Sequence, residues 1–133
     1  MSITLAEQDQ LTLRTAAYGA VSLMAAASGK PHKAATQGSV ALSSATGLVG
    51  HVLADTSTAV NLYGKSVAAL ADHVLPALTE AMALLKRQAP AEAGNFRTTV
   101  LLAVDTAARA HNGDPSPISA DMARKITEAL DAA

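Results

Sequence analysis

The sequence predicts an all-α protein, and three observations lead to that fold class. About thirty of the 133 residues are alanine, which has the highest intrinsic helix propensity. Only three residues are aromatic, so the chain has few of the side chains that favour strands. Apolar residues recur at steps of three and four. We therefore expect one domain over residues 1–133, an antiparallel bundle of four main helices with a short C-terminal helix.

The first helix is expected to begin after Thr4 and to end before Gly29. Thr4 and Glu7 have the spacing of a capping box, and glycine is favoured just beyond a helix C-terminus. Arg14 followed by the apolar run Thr15–Met24 also resembles a secretory signal. Acidic residues precede that run and it is only weakly hydrophobic, so we expect a core helix instead.

A second helix is predicted from Ala34 to Ala54. Gly38, Gly47 and Gly50 weaken it, each by up to about 1 kcal/mol relative to alanine. Because glycine has no side chain to keep a neighbour away, we expect these positions to allow close helix–helix approach.

A third helix is predicted from about residue 60 to residue 85, after a turn at residues 55–57. Pro76 lies inside it and removes one backbone hydrogen bond, so the helix should be kinked or split there. The apolar stripe stays in phase across the proline, which favours a kink or a brief break over a long loop. The stripe consists of Val60, Tyr63, Val67, Leu70, Val74, Leu78, Met82 and Leu85.

A fourth helix is predicted over Ala91–His111. Its middle, Val100–Val104, is apolar on every side, which is typical of a helix buried in a bundle or at an interface. Asp105 and Arg109 are one turn apart and are expected to form a surface ion pair.

The last helix follows a loop over residues 112–117, which is rich in proline, glycine and asparagine. Ser119 is the expected N-cap. The residues expected to face the core are Met122, Ile126 and Leu130.

The composition favours self-association and argues against several other partners. Half of the residues are hydrophobic and only 16% are charged, compared with roughly 25% in an average globular protein. We therefore expect a homodimer or a larger symmetric oligomer. The net charge of −1 gives no attraction for nucleic acid or anionic lipid, and we expect no membrane span, because no apolar run approaches the roughly 18–20 residues that one needs. We expect a cytoplasmic protein without a cofactor.

One motif suggests nucleotide binding. Residues 59–66, AVNLYGKS, satisfy a relaxed phosphate-binding-loop pattern, in which Lys65 would hold phosphates and Ser66 a magnesium ion. Asp105, at the end of the apolar segment 100–105, would supply the second carboxylate. The motif has bulky residues in its middle, fits the helical stripe and lacks a preceding strand. We therefore expect a position inside the third helix, and keep nucleotide binding as an alternative.

Two further groups of residues are weaker site candidates. His51 and His73 lie on neighbouring helices and could form half of a metal site, although no metal-binding spacing accompanies them. Tyr63, Pro76 and Phe96 could surround a small apolar ligand if the kink opens a space between two helices.

The leading functional hypothesis is a non-enzymatic interaction or assembly module. The chain has no cysteine, which excludes thiol catalysis, and no nucleophile elbow or paired catalytic motif occurs in the sequence. The alternative hypothesis is a helical bundle that binds a small apolar ligand.

Overall fold

The computed structural model describes residues 5–28, 31–54, 66–109 and 116–133, and this part of the chain is all-helical. Of the described residues, 89% are helical and none lies in a strand, which confirms the predicted fold class. The helices pack against one another around one apolar core. They are α1 (Glu7–Ala27), α2 (Pro31–Ser43), α3 (Gly47–Ala54), α4 (Val67–Gln88), α5 (Pro90–Ala108) and α6 (Pro117–Asp131).

The prediction of one helix over residues 34–54 is wrong, because the chain turns between α2 and α3. Ser44 closes the end of α2 by donating its hydroxyl to the carbonyl oxygen of Ala41 at 2.6 Å. Gly47 then has φ +69°, in the left-handed region that residues with a Cβ rarely adopt. The glycine therefore allows the turn that separates the two helices.

Gly38 has the role that was predicted for the glycines of this region. A Cβ at Gly38 would lie 2.8 Å from a methyl carbon of Val21 and 3.4 Å from the Cβ of Ala107, so α1 and α5 approach this side of α2 closely. Gly50 is different, since a Cβ there would lie 2.3 Å from the carbonyl oxygen of Ala45 in the turn. The small-residue side of α2 is thus occupied within the chain.

Two predicted helix N-caps are also wrong. Glu7 is the first residue of α1 and Ala6 its N-cap, without a side-chain hydrogen bond, so Glu7 cannot complete a capping box with Thr4, which lies outside the described residues. The N-cap of α6 is Ser116, whose hydroxyl oxygen accepts from the backbone N–H of Ser119 at 3.1 Å. Ser119 lies inside the helix and is buried.

The long apolar helix α4 is continuous through Pro76. The third predicted helix is therefore not split at the proline. The predicted residues 60–65 lie outside the described residues, and α4 begins at Val67. Pro76 is exposed, so water can reach the carbonyl oxygen of Asp72, which loses its backbone donor. The rest of the predicted stripe is buried except Val67, which is 46% exposed: Leu70, Val74, Leu78, Met82 and Leu85 lie in the core.

α4 also corrects the expectation about membrane-spanning segments. By length and composition alone it is long and apolar enough to cross a membrane, with a mean hydropathy of 1.3 over its most apolar 18-residue window. The buried core helix of a soluble protein passes the same test. Its exposed side carries Asp72, His73 and Glu80, whereas the apolar stripe packs inside the protein.

The middle of α5 is only partly buried. Val100, Ala103 and Val104 are in the core, but Leu101 is half-buried and Leu102 is 50% exposed, so this segment is not buried on every side within the chain, and its position at an interface stays a prediction. α5 ends at Ala108, and its predicted last residues 110–111 lie outside the described residues. An apolar part of α5 therefore remains on the surface.

Candidate functional site

The residues of the nucleotide hypothesis have structural roles wherever they are described. Ser66 is the N-cap of α4, and its hydroxyl oxygen accepts from the backbone N–H of Ala69 at 3.1 Å, which corrects its predicted position inside a helix. Lys65 and the rest of the motif lie outside the described residues. Asp105 lies in α5, so the segment that resembles a magnesium-binding strand is helical. Arg109 donates to Asp105 at 3.0 Å, which confirms the predicted ion pair.

The other candidate residues lie in very different surroundings. His51 on α3 and His73 on α4 are both exposed. Among the described residues, no three or more histidine, cysteine, aspartate or glutamate side chains form a group that could hold a metal ion. Phe96 is fully buried whereas Pro76 faces solvent, and Tyr63 lies outside the described residues. Phe96 fills the core instead of lining a space beside Pro76.

A groove of about 330 Å³ lies between α5 and α6, and it is more enclosed than another depression that the described residues form along α2. Alanine side chains form much of its lining, so neither helix fills the space between them. Asp105 adds one carboxylate to an otherwise largely apolar surface. We call it the α5–α6 groove, lined by Leu101, Val104, Asp105, Ala108, Ala120, Ala123 and Thr127.

Hydrogen bonds hold α6 against its neighbours and so fix the shape of the groove. Arg97 of α5 donates to both carboxylate oxygens of Asp131, at 2.8 and 3.2 Å. These hydrogen bonds keep the pKa of Asp131 below its usual value and raise the pKa of Arg97. Thr79 of α4 donates its hydroxyl to the carbonyl oxygen of Ala129 at 2.6 Å. With α6 tied to two other helices, the groove is present before any partner binds.

An apolar side chain and an ion pair lie beside the α5–α6 groove. Leu102, Asp105 and Arg109 are spaced i, i+3 and i+7, which places them along one side of α5. Leu102 is 50% exposed, and the side chains of Arg109 and Asp105 are 53% and 58% exposed. The same side of α5 therefore offers both an apolar knob and a pair of opposite charges.

Another depression among the described residues is a wide, shallow groove of about 490 Å³ along the outer side of α2. Val40 is 64% exposed there. The hydroxyls of Thr36 and Ser43 donate to the carbonyl oxygens of His32 and Val40, within their own helix. We call this the α2 groove, lined by His32, Ala35, Thr36, Ser39, Val40 and Ser43.

The sequence analysis missed a buried polar cluster at the C-terminal end of α3. Arg14 is only 2% exposed and donates to the carbonyl oxygen of Val52 at 3.4 Å. The hydroxyl of Tyr18 donates to the carbonyl oxygen of Leu53 at 2.8 Å. Partial burial raises the pKa of Tyr18, and the charge of Arg14 opposes that rise. The available signal was Arg14 itself, the one cation of α1, which precedes an apolar run and lies one turn before Tyr18.

The N-terminal end of α3 is held in a similar way by α5. Glu92 accepts from the backbone N–H of Leu48 at 3.2 Å. Asn95 donates to the carbonyl oxygen of Thr46 and to Glu92, both at 2.9 Å. A carboxylate thus lies at the N-terminus of α3 and a cation at its C-terminus, which is the favourable arrangement for the helix dipole.

Comparison with known proteins identifies no relative: no family model matches the chain, and no curated protein or solved structure is significantly similar to it. The function of this protein must therefore be inferred from the residues and geometry of the chain itself.

Proposed function

We propose that this protein is a non-enzymatic interaction or assembly module that acts as a homo-oligomer, in the simplest case a homodimer. The observation that carries the proposal is the exposed Leu102 beside the α5–α6 groove, an apolar side chain and an apolar depression on one face. Only 16% of the residues are charged, so the chain has few charges with which to solvate such a face.

The scaffold that we infer for this module is an antiparallel four-helix bundle of α1, α2, α4 and α5. Gln88 at the end of α4 donates to Asp9 at the start of α1 at 2.9 Å, as expected for antiparallel neighbours. A single residue, Ala89, separates α4 from α5, and such a short connection favours an antiparallel pair. In this arrangement α3 lies in the connection between α2 and α4, and α6 packs outside the four helices.

The buried polar groups support a surface function for the protein. The described residues bury three polar or charged side chains, those of Arg14, Thr99 and Ser119. Arg14 donates to a carbonyl at the end of α3, and Ser119 donates to the carbonyl oxygen of Ala27 at the end of α1. Such contacts satisfy helix termini, which is a structural role. We therefore infer that the protein functions through its exposed apolar surface, at Leu102 and the α5–α6 groove.

We further propose that the module acts in the cytoplasm, without a nucleic acid or membrane partner. The net charge of −1 gives little long-range attraction for polyanions or anionic lipid. The apolar stripe of α4 is covered by other helices, which favours a core helix over a membrane span.

Sedimentation velocity over a range from low to high micromolar concentration tests the proposal. The monomer has a mass of 13.4 kDa, so a dimer has twice that mass. We expect a shift toward the dimer mass as the concentration rises. A monomer mass at every concentration would contradict the proposal. Native mass spectrometry of the same sample provides a second outcome, because a retained non-protein mass would favour the ligand-binding alternative.

A further inference from the structure

We infer that two copies of this chain exchange α1 and α2 by straightening the turn between α2 and α3, so that these helices pack against α4, α5 and α6 of the other copy. This inference rests on the proposed homo-oligomeric function and gives the two copies a shared core. Leu102 and the α5–α6 groove remain on the surface of such a dimer, once in each half.

The buried positions of α2 and α3 fit one straight helix. Three residues, 44–46, separate the two helices, and none of them is proline. At 3.6 residues per turn, the buried positions on both sides of the turn fall within one stripe about 100° wide. Two independent helices joined by a turn do not require this agreement. The positions are Ala34, Gly38, Leu42, Val49, Val52 and Leu53.

The backbone of the turn is already close to a helical pattern of hydrogen bonds. The N–H groups of Ser44 and Ala45 donate to carbonyl oxygens three residues earlier, both at 3.2 Å. The N–H of Gly50 donates to the carbonyl oxygen of Thr46, four residues earlier, at 3.1 Å. In a straight helix the N–H of Leu48, which now donates to a side chain of α5, would find a carbonyl oxygen within its own helix. Straightening therefore exchanges one set of hydrogen bonds for another.

Gly47 is the residue that favours the closed chain. Its φ of +69° is easily adopted by glycine, whereas glycine is unfavourable inside a helix. A Cβ at this position would lie 2.7 Å from Oε1 of Glu92. Alanine at position 47 should therefore disfavour the turn and favour the straight helix.

A second copy is needed because straightening separates two groups of helices that bury each other. α1 packs mainly against α4, and α2 packs mainly against α5. The packing is close, since a Cβ at Gly19 of α1 would lie 2.5 Å from a methyl carbon of Val74 on α4. An open chain would expose the core sides of all four helices. The helices of another open copy fit these surfaces, because the contacts are the same as those within the closed chain.

Exchange preserves the contacts of α3, whereas straightening within one chain would lose them. If α3 alone swung away from the protein, Val49 and Leu53 would leave the core. The carbonyl oxygens of Val52 and Leu53 would also lose the hydrogen bonds from Arg14 and Tyr18. In the exchanged dimer, Arg14 and Tyr18 of one copy reach the same carbonyl oxygens of the other. The dimer then differs from two closed chains mainly at the turn.

The first test determines which chain supplies the α1 that packs on α4. The side chains of Asp9 on α1 and Gln88 on α4 meet at 2.9 Å, and the chain contains no cysteine. In the double variant Asp9→Cys with Gln88→Cys, a short thiol crosslinker joins one chain to itself in the closed protein and two chains in the exchanged dimer. The protein is refolded from urea at high micromolar concentration, because each chain must open before it can exchange.

We expect the dimer fraction of this variant to give a crosslinked product of twice the chain mass under denaturing conditions. The monomer fraction should give a product of the single-chain mass, which verifies that the crosslinker spans the pair. Arg97→Cys with Asp131→Cys is the matched control. This pair joins α5 and α6, which lie on the same side of the turn, so its product should have the single-chain mass in every fraction.

The second test compares Gly47→Ala with the matched control Gly94→Ala by size-exclusion chromatography after the same refolding. Gly47→Ala disfavours the closed monomer and favours the straight helix, so it should raise the dimer-to-monomer equilibrium constant at least about tenfold. Gly94 lies on the exposed side of α5, which is helical in both forms. The Gly94→Ala protein should therefore form the dimer to the same extent as the wild type.

The outcomes separate this inference from the proposed function. A wild-type protein that stays monomeric overturns the homo-oligomeric function and, with it, the inference. A dimer in which the α1–α4 crosslink stays within one chain overturns the inference alone, because the copies then associate through their outer surfaces. A Gly47→Ala protein that forms no more dimer than the wild type, or a control pair that crosslinks between chains, also overturns it. Crosslinks between chains at the α1–α4 pair, with more dimer in Gly47→Ala, support both.

Discussion

α3 and α6 are both packed against the main helices, but different parts of the sequence determine their positions. α3 is tied at both ends by side chains of α1 and α5 that are 35 to 49 positions away in the chain. α6 carries its own signals, an N-cap at Ser116, a proline at the first turn, and a stripe of buried Met122, Ile126 and Leu130. Both helices are held by distant residues, but α6 also carries local signals that determine where it begins and which side it buries, whereas the ends of α3 depend on contacts with distant residues.

Length strengthens this difference. α3 has eight residues and α6 has 15, while isolated helices shorter than about 12–15 residues are only marginally stable in water. α3 should therefore depend on the side chains that hold its ends, and substitutions there should affect stability more than comparable changes around α6.

The largest expected effect is that of Arg14→Ala. The substitution removes a buried charged donor from the carbonyl of Val52 and leaves a cavity beside α3. We expect the free energy of unfolding to fall by about 2–4 kcal/mol. Arg124→Ala is the control, since Arg124 is paired with Asp121 on the surface of α6 and its side chain is 65% exposed. The control should change stability by less than about 1 kcal/mol.

Urea unfolding followed by circular dichroism measures both variants. Equal destabilisation of the two proteins would remove the distinction between α3 and α6. Hydrogen exchange shows which helix is destabilised. In the Arg14→Ala protein the backbone amides of α3 should lose protection before those of α6 do.

The hydrogen bond of Arg14 shows why the sequence predicts some parts of this fold and not others. Helix periodicity depends on residues three and four apart, and it correctly indicates the buried stripes of α4 and α6. The role of Arg14 depends on a carbonyl 38 positions away, which appears only after the helices have packed. For the same reason the sequence predicted α2 and α3 as one helix. Glu92 and Asn95, which hold the start of α3, lie on α5, and periodicity within residues 34–54 carries no sign of them.

A second prediction compares two glycines with opposite expected effects. Gly47→Ala forces a left-handed conformation on alanine, and its Cβ would lie 2.7 Å from the Glu92 carboxylate that binds α3. We expect a loss of about 1–3 kcal/mol. Gly94 lies on the exposed side of α5, where a new Cβ would meet no atom within 4 Å beyond its chain neighbours and the nearby backbone of its own helix, so Gly94→Ala should stabilise the protein by about 0.5–1 kcal/mol.

Thermal and urea unfolding of both glycine variants decide this comparison. A stabilised Gly47→Ala protein would mean that α2 and α3 can join as the continuous helix that the sequence predicted. A destabilised Gly94→Ala protein would mean that the exposed side of α5 is constrained by a contact, for example with a second copy.

The candidate interface was only partly predictable, for a related reason. The sequence indicated that Val100–Val104 is apolar all round, which is consistent with burial or with an interface. It could not show that Val104 faces the core while Leu102 faces outward, because that depends on which side α6 covers. The α5–α6 groove itself arises from alanines on two helices that follow one another in the chain.

The smallest expected effect concerns the ion pair that ties α6 to α5. The hydrogen bonds from Arg97 lower the pKa of Asp131 in the folded state, so the unfolded state binds the proton more readily. The resulting stabilisation is present above the ordinary aspartate pKa of 3.8 and is lost as the pH falls through the lowered folded value. The Asp131→Asn protein should therefore be less stable than the wild type near neutral pH, and the difference should shrink below about pH 4.

Melting curves from pH 7 to pH 3 test this prediction. Asp121 also has a lowered pKa, chiefly through its hydrogen bond from Arg124, but it is present in both proteins, so the difference between them isolates Asp131. Because Asp131 is exposed, 1 M salt should reduce the difference as well. A difference that stays constant from pH 7 to pH 3 would show that packing of the side chain, and not its charge, ties α6 to α5. α6 would then be held mainly by apolar packing, as the longer helices are. It would differ more clearly from α3, whose ends are held by hydrogen bonds.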